Sequence, residues 1–135
     1  MLSSPRCWSL YGELLAVGGG QLSIDSYAVQ HPGVPESRSI QSVGVHLVSL
    51  CAAFERSWPQ ERATDLIRRA VDLNPGWQWL DPEPPLGAIT VAEVVSQNDL
   101  IARSEIITSW AEEMRDVYED HRSLVRQCLD AVLGE

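Results

Sequence analysis

The sequence predicts an all-α fold, and three features carry that prediction. Apolar residues recur at spacings of three and four along most of the chain. Residues that start or stop helices bracket those runs. No segment alternates apolar and polar residues as a half-buried strand does. At 135 residues and 15.0 kDa the chain fits one domain spanning 1–135. The expected architecture is a bundle-like array of about five helices with an ordered Pro/Trp-rich loop.

In "SLYGELLAV", Leu10, Leu14 and Val17 form a helical stripe that Tyr11 and Leu15 widen, and Gly18, Gly19 and Gly20 end it. "LSIDSYAVQHP" predicts a short helix with Ser23 as N-cap, Asp25 near the positive end of the helix dipole, and a stop before Pro32. After the linker "PGVPESR", Ile40, Val43, Leu47, Leu50 and Phe54 mark the most buried helix, with Ser39 as its expected N-cap. Ser57 and Gln60 form a capping-box pair before a helix whose Ala63, Leu66, Ile67, Ala70 and Val71 face inward. Asn74-Pro75-Gly76 terminates it.

"PGWQWLDPEPPLG" has too many prolines for a helix interior and predicts an ordered loop fastened by Trp77, Trp79 and Leu80. Thr90 and Glu93 make a second capping-box pair before a short helix through Val91, Val94 and Val95. From about Asn98 or Ser104 to Leu133, Ile107, Trp110, Met114, Val117, Leu124 and Cys128 form one continuous seam, with His121 inside it.

A formal net charge of −9 argues against wrapping nucleic acid, whose affinity rests on Lys and Arg displacing counterions. Nothing approaches the length of apolar run that a membrane span needs, and no signal-peptide pattern opens the sequence, so the expected location is cytoplasmic. Cys7, Cys51 and Cys128 are odd in number, far apart and without a C-x-x-C pair, which speaks for buried thiols rather than disulfides or thiolate zinc. Gly18 to Gly20 follow a helix and lack the Lys-Ser or Lys-Thr ending of a phosphate loop. Ser26, Ser42 and Ser49 sit in no nucleophile motif and read as caps or backbone bonders.

The three histidines each lie in or at the end of a predicted helix: His31, His46 and His121. Three imidazoles with an open water position are a common catalytic zinc plan, so these are the candidate metal ligands, and a divalent ion such as zinc the candidate cofactor. If they converge, Asp25 is a fourth ligand or the acceptor that fixes an imidazole tautomer, and Tyr27 or Tyr118 a proton donor. Asp116, Glu119 and Asp120 beside His121 read as the solvated face of the last helix.

The segments "YGELLA", "IDSYAVQHPG", "SIQSVGVHLVSLCAAFE" and "GAITVAEV", with Trp110 and His121, resemble the DUF5946 family, small bacterial proteins of unknown function. The resemblance places the family's polar pattern on Asp25, Tyr27, Gln30, His31, His46 and His121. It also implies a C-x-x-C-G segment near the start, where this chain has only Cys7. A more distant likeness, to DinB/YfiT-type bundles that hold a divalent metal with three histidines, departs in spacing, since those proteins usually draw two ligands from one helix.

Two functions follow as expectations. One is metal-assisted hydrolysis or transfer in a pocket where His31, His46 and His121 bind a metal and Asp25, Tyr27 and Gln30 contact cofactor or small molecule. The other is a non-catalytic interaction or regulatory module whose buried polar network is structural, and whose Trp77–Leu80 loop or acidic surface meets a protein partner.

Overall fold

The computed structural model describes residues 4–134, which hold seven α-helices and no strand. In order these are α1 (Pro5–Ala16), α2 (Gly20–Gln30), α3 (Ser37–Glu55), α4 (Ala63–Leu73), α5 (Val91–Ser96), α6 (Leu100–Val117) and α7 (Arg122–Leu133). Short 3-10 turns at Gln60–Arg62 and Glu119–His121 lead into α4 and α7. The all-α class holds, with more helices than the five or so expected. None of the described helices is long and apolar enough to cross a membrane.

Ser4 caps α1 by accepting from the Cys7 N–H at 3.1 Å. At the other end Gly19 N–H reaches the Leu14 carbonyl at 3.0 Å and Gly18 N–H the Leu15 carbonyl at 3.2 Å. That is the paired bonding of a Schellman turn, and it needs the left-handed φ of 81° that Gly18 supplies. Gly19 is needed for a different reason: a Cβ there would lie 2.8 Å from Leu14 Cγ.

The glycine run therefore both stops α1 and starts α2, and α2 begins at Gly20, ahead of the expected cap. Ser23 is buried inside the helix, its hydroxyl donating to the Gly19 carbonyl at 2.7 Å. Likewise α3 begins at Ser37, before Ser39, with Glu36 at the cap position. Ser57 adopts a φ of 49° outside any helix, and Gln60 opens a 3-10 turn, so their expected capping box is absent. Thr90 does precede α5, but the Glu93 N–H bonds to its backbone carbonyl, at 3.1 Å, rather than to its side chain.

α3 is the central element and packs against α2, α4, α6 and α7. Its Val43, Leu47, Val48, Leu50 and Cys51 share one core with Leu14, Leu66, Trp110, Met114 and Leu129.

The expected continuous last helix is two. It breaks at Tyr118, because the Val117 carbonyl accepts from Glu83 N–H at 2.8 Å and the Tyr118 hydroxyl donates to the Val29 carbonyl at 2.7 Å. The break lets α6 pack on α2 while α7 packs on α3 and α4. It also takes His121 out of the seam and into the 3-10 turn, where the ring is only half-buried.

The Pro/Trp-rich loop is ordered, as its composition predicts, and Leu80 anchors it in the core. Trp77 lies across Gly44 so closely that a Cβ there would sit 2.5 Å from its ring. Gly44→Ala is expected to lower stability by about 1–3 kcal/mol through overpacking, measured by urea denaturation with an unchanged m-value.

Candidate functional site

α2 and α3 face each other through a buried carboxylate. Asp25 has no solvent exposure, and a buried charge is tolerated only when it is paired and hydrogen-bonded. One turn earlier on α2, Gln21 Nε2 donates to Asp25 Oδ1 at 2.8 Å. From α3, His46 Nδ1 lies 2.7 Å from Oδ1 and Ser49 Oγ donates to Oδ2 at 2.7 Å. His46 and Ser49 are three apart and so share one helix face. Because the carboxylate accepts, His46 Nδ1 carries the proton and Nε2 keeps its lone pair when the ring is neutral.

His46 opens onto a cleft of about 430 Å³ between the starts of α1 and α3 and the end of α2. Trp8 and Tyr11 of α1, Tyr27 and Ala28 of α2, His31 after it, and Arg38, Ser39 and Ser42 of α3 line it. Tyr11 and Tyr27 are stacked, with ring centroids 4.0 Å apart at 10°. Tyr27 meets the His31 ring at 4.2 Å, tilted 32°. Burial raises the Tyr11 phenol above its ordinary value and the Asp25 charge raises it further, so it remains a proton donor at neutral pH.

His31 Nδ1 lies 3.0 Å from the Tyr27 carbonyl, which can only accept, so this ring too leaves Nε2 unprotonated when neutral. Burial pushes its imidazole below the ordinary 6.5, against the smaller opposite pull of that carbonyl. The structure thus brings Asp25, Tyr27, His31 and His46 together.

Three expected participants are elsewhere. His121 Nε2 lies 2.8 Å from the Asp81 carbonyl, fastening the 3-10 turn before α7 to the proline loop. Gln30 is also a structural residue: its Nε2 donates to the Leu86 and Ile89 carbonyls at 3.0 and 2.7 Å, and its Oε1 accepts from Trp110 Nε1 at 3.2 Å. Tyr118 is buried with its hydroxyl on Val29, and burial drives its phenol far upward.

The expected zinc set is consequently not assembled. Among the described residues no group of three or more His, Cys, Asp or Glu side chains is placed to hold a metal ion. His31 and His46 bring two imidazoles to the cleft, while the lone pairs of Asp25 serve Gln21, His46 and Ser49. The thiols add nothing: all three cysteines are free, and burial raises Cys51 to about 11.

Trp8, Tyr11, Arg38, Gln21 and Ser49 were not among the sequence candidates for binding or support. Helical spacing holds the signal for two of them, since Gln21 lies four before Asp25 and Ser49 three after His46.

The segments that build this cleft fall within residues 1–119, which match the model of the family of unknown function DUF5946. The chain belongs to the DUF5946 family. No curated protein and no solved structure matches it significantly.

Measurements at two residues test these roles in the DUF5946 chain. Gln30→Leu strands the Leu86 and Ile89 carbonyls and the Trp110 N–H, and is expected to cost about 2–4 kcal/mol in urea denaturation. For His31, the unfolded chain takes up a proton near pH 6.5 that the folded chain accepts only at lower pH. Stability is then full above that value and declines as pH falls through the folded pKa. The His31 ring should titrate below 6.5 by proton NMR, and His31→Asn should flatten the acid side of the melting-temperature profile.

Proposed function

We propose that this DUF5946 protein binds a small organic molecule in the cleft between α1, α2 and α3, and that His46 acts there as a general base in hydrolysis or group transfer. The observation that carries this reading is the 2.7 Å contact between His46 Nδ1 and a fully buried Asp25. A carboxylate so placed holds the ring in one tautomer and stabilises the imidazolium that forms when Nε2 takes a proton. The proton would come from water or a substrate hydroxyl. Tyr11, kept protonated, stands near enough to Asp25 to feel its charge and supplies a donor for the leaving group or a substrate oxygen. The hydrolysis or transfer chemistry expected from the sequence is retained, with activation of the nucleophile assigned to an imidazole rather than to zinc.

One observation favours a second reading. The same buried carboxylate joins two helices through Gln21, His46 and Ser49, which suits a structural network in a non-catalytic interaction module.

Hydrolysis of p-nitrophenyl acetate, used as a generic acyl donor, separates them. His46→Gln is expected to slow the protein-dependent rate by about 10–100-fold while the chain remains folded by circular dichroism. Asp25→Asn should fall between the two. A His46→Gln rate equal to that of the unaltered chain sinks the catalytic reading and leaves the structural one.

A further inference from the structure

The cleft also carries information about its ligand. The chain has a net charge of −9, yet none of the described residues lining this cleft is acidic. Among those described lining residues Arg38 carries the one permanent charge, and it is exposed and forms no ion pair among the described residues. Ser39 and Ser42 lie beside it on α3, giving hydroxyl donors next to a planar guanidinium. A guanidinium with neighbouring hydroxyls has the chemistry to receive an anionic group.

The lining from α1 and α2 is aromatic. Tyr11 and Tyr27 stack at 4.0 Å, and Trp8 stands beside the pair, 5.8 Å from Tyr11 and 6.3 Å from Tyr27. Trp8 nevertheless keeps 63% of its surface exposed, so much of its indole is left uncovered by the chain. An exposed indole beside a concavity is a stacking platform for a flat ring. The volume, about 430 Å³, lies within the range of small-molecule sites and suits a ligand of one or two rings.

We propose that the cleft selects a small anion with a flat unsaturated ring, an aryl or heteroaryl carboxylate or phosphate. Its anionic group lies on Arg38 with Ser39 and Ser42, and its ring lies against Trp8 and Tyr11. This rests on the reading of the cleft as a small-molecule site, and it places the ligand beside His46.

The test is a titration of the ¹⁵N-labelled full chain, following the indole N–H signal of Trp8. The probes are phenyl phosphate, benzoate, neutral benzyl alcohol and saturated cyclohexanecarboxylate. Phenyl phosphate or benzoate, or both, should move the Trp8 signal and saturate, with the neutral and saturated probes at least about tenfold weaker. The stronger of the first two identifies the anionic group. Arg38→Gln should weaken the ring anions by about tenfold or more and leave benzyl alcohol unchanged. Trp8→Leu, followed instead through the backbone N–H signals of Arg38 and Ser39, should erase the preference for benzoate over cyclohexanecarboxylate. Both positions are exposed, so neither variant endangers folding.

Equal binding of all four probes, indifference to Arg38→Gln, or no binding overturns the proposal. If no ring anion binds while ester hydrolysis still depends on His46, only this assignment of ligand falls. If binding depends on Arg38 while hydrolysis ignores His46, the ligand stands and the general base falls.

Discussion

The structure turns on a carboxylate that water cannot reach. An ionised side chain without solvent must find donors within the protein, and Asp25 finds them on its own helix and on α3. Meeting that demand fixes how α2 and α3 face one another. Because one donor is an imidazole at the mouth of a cleft, the same demand also orients a titratable ring. Packing and chemistry share one bond here, which is why both readings of function draw on it.

A second set of polar contacts governs the long connection between α4 and α5. Gln30 reaches the Leu86 and Ile89 carbonyls, and Glu113 accepts from the Ala88 and Ile89 N–H groups at 2.7 and 2.8 Å. These bonds replace the ladder that a helix or sheet would provide for the backbone. Trp77 and Leu80 add apolar anchorage against α3 and the core. His121 and Glu83 complete the attachment of the loop at the α6–α7 break.

The helical class and most helix positions were legible because amphipathic spacing is a local property. What escaped was set by contacts distant in sequence. The 3-4 register runs on through Tyr118, so nothing nearby announces that Val117 gives its carbonyl to Glu83, and His121 therefore reads as a core residue. Ser23 has the chemistry of a cap, yet the glycine turn before it had already started the helix. Asp25, Tyr27, His31 and His46 were recognisable by residue type and placement. The pairing of Asp25 with His46, 21 positions apart, was a possibility that only the fold could select. Trp8 and Arg38 have no motif around them and gain meaning only from facing a common space.

The turn at Gly18 and Gly19 links the two halves of the cleft in an uneven way. Trp8 and Tyr11 stand before it on α1, so an insertion or deletion of one residue in that turn would displace them relative to α2 and α3. The bond between Asp25 and His46 lies wholly beyond the turn and would be unmoved. The α1 aromatics and the carboxylate–imidazole pair thus stand on opposite sides of one glycine turn, and a change of spacing there reaches the first without touching the second.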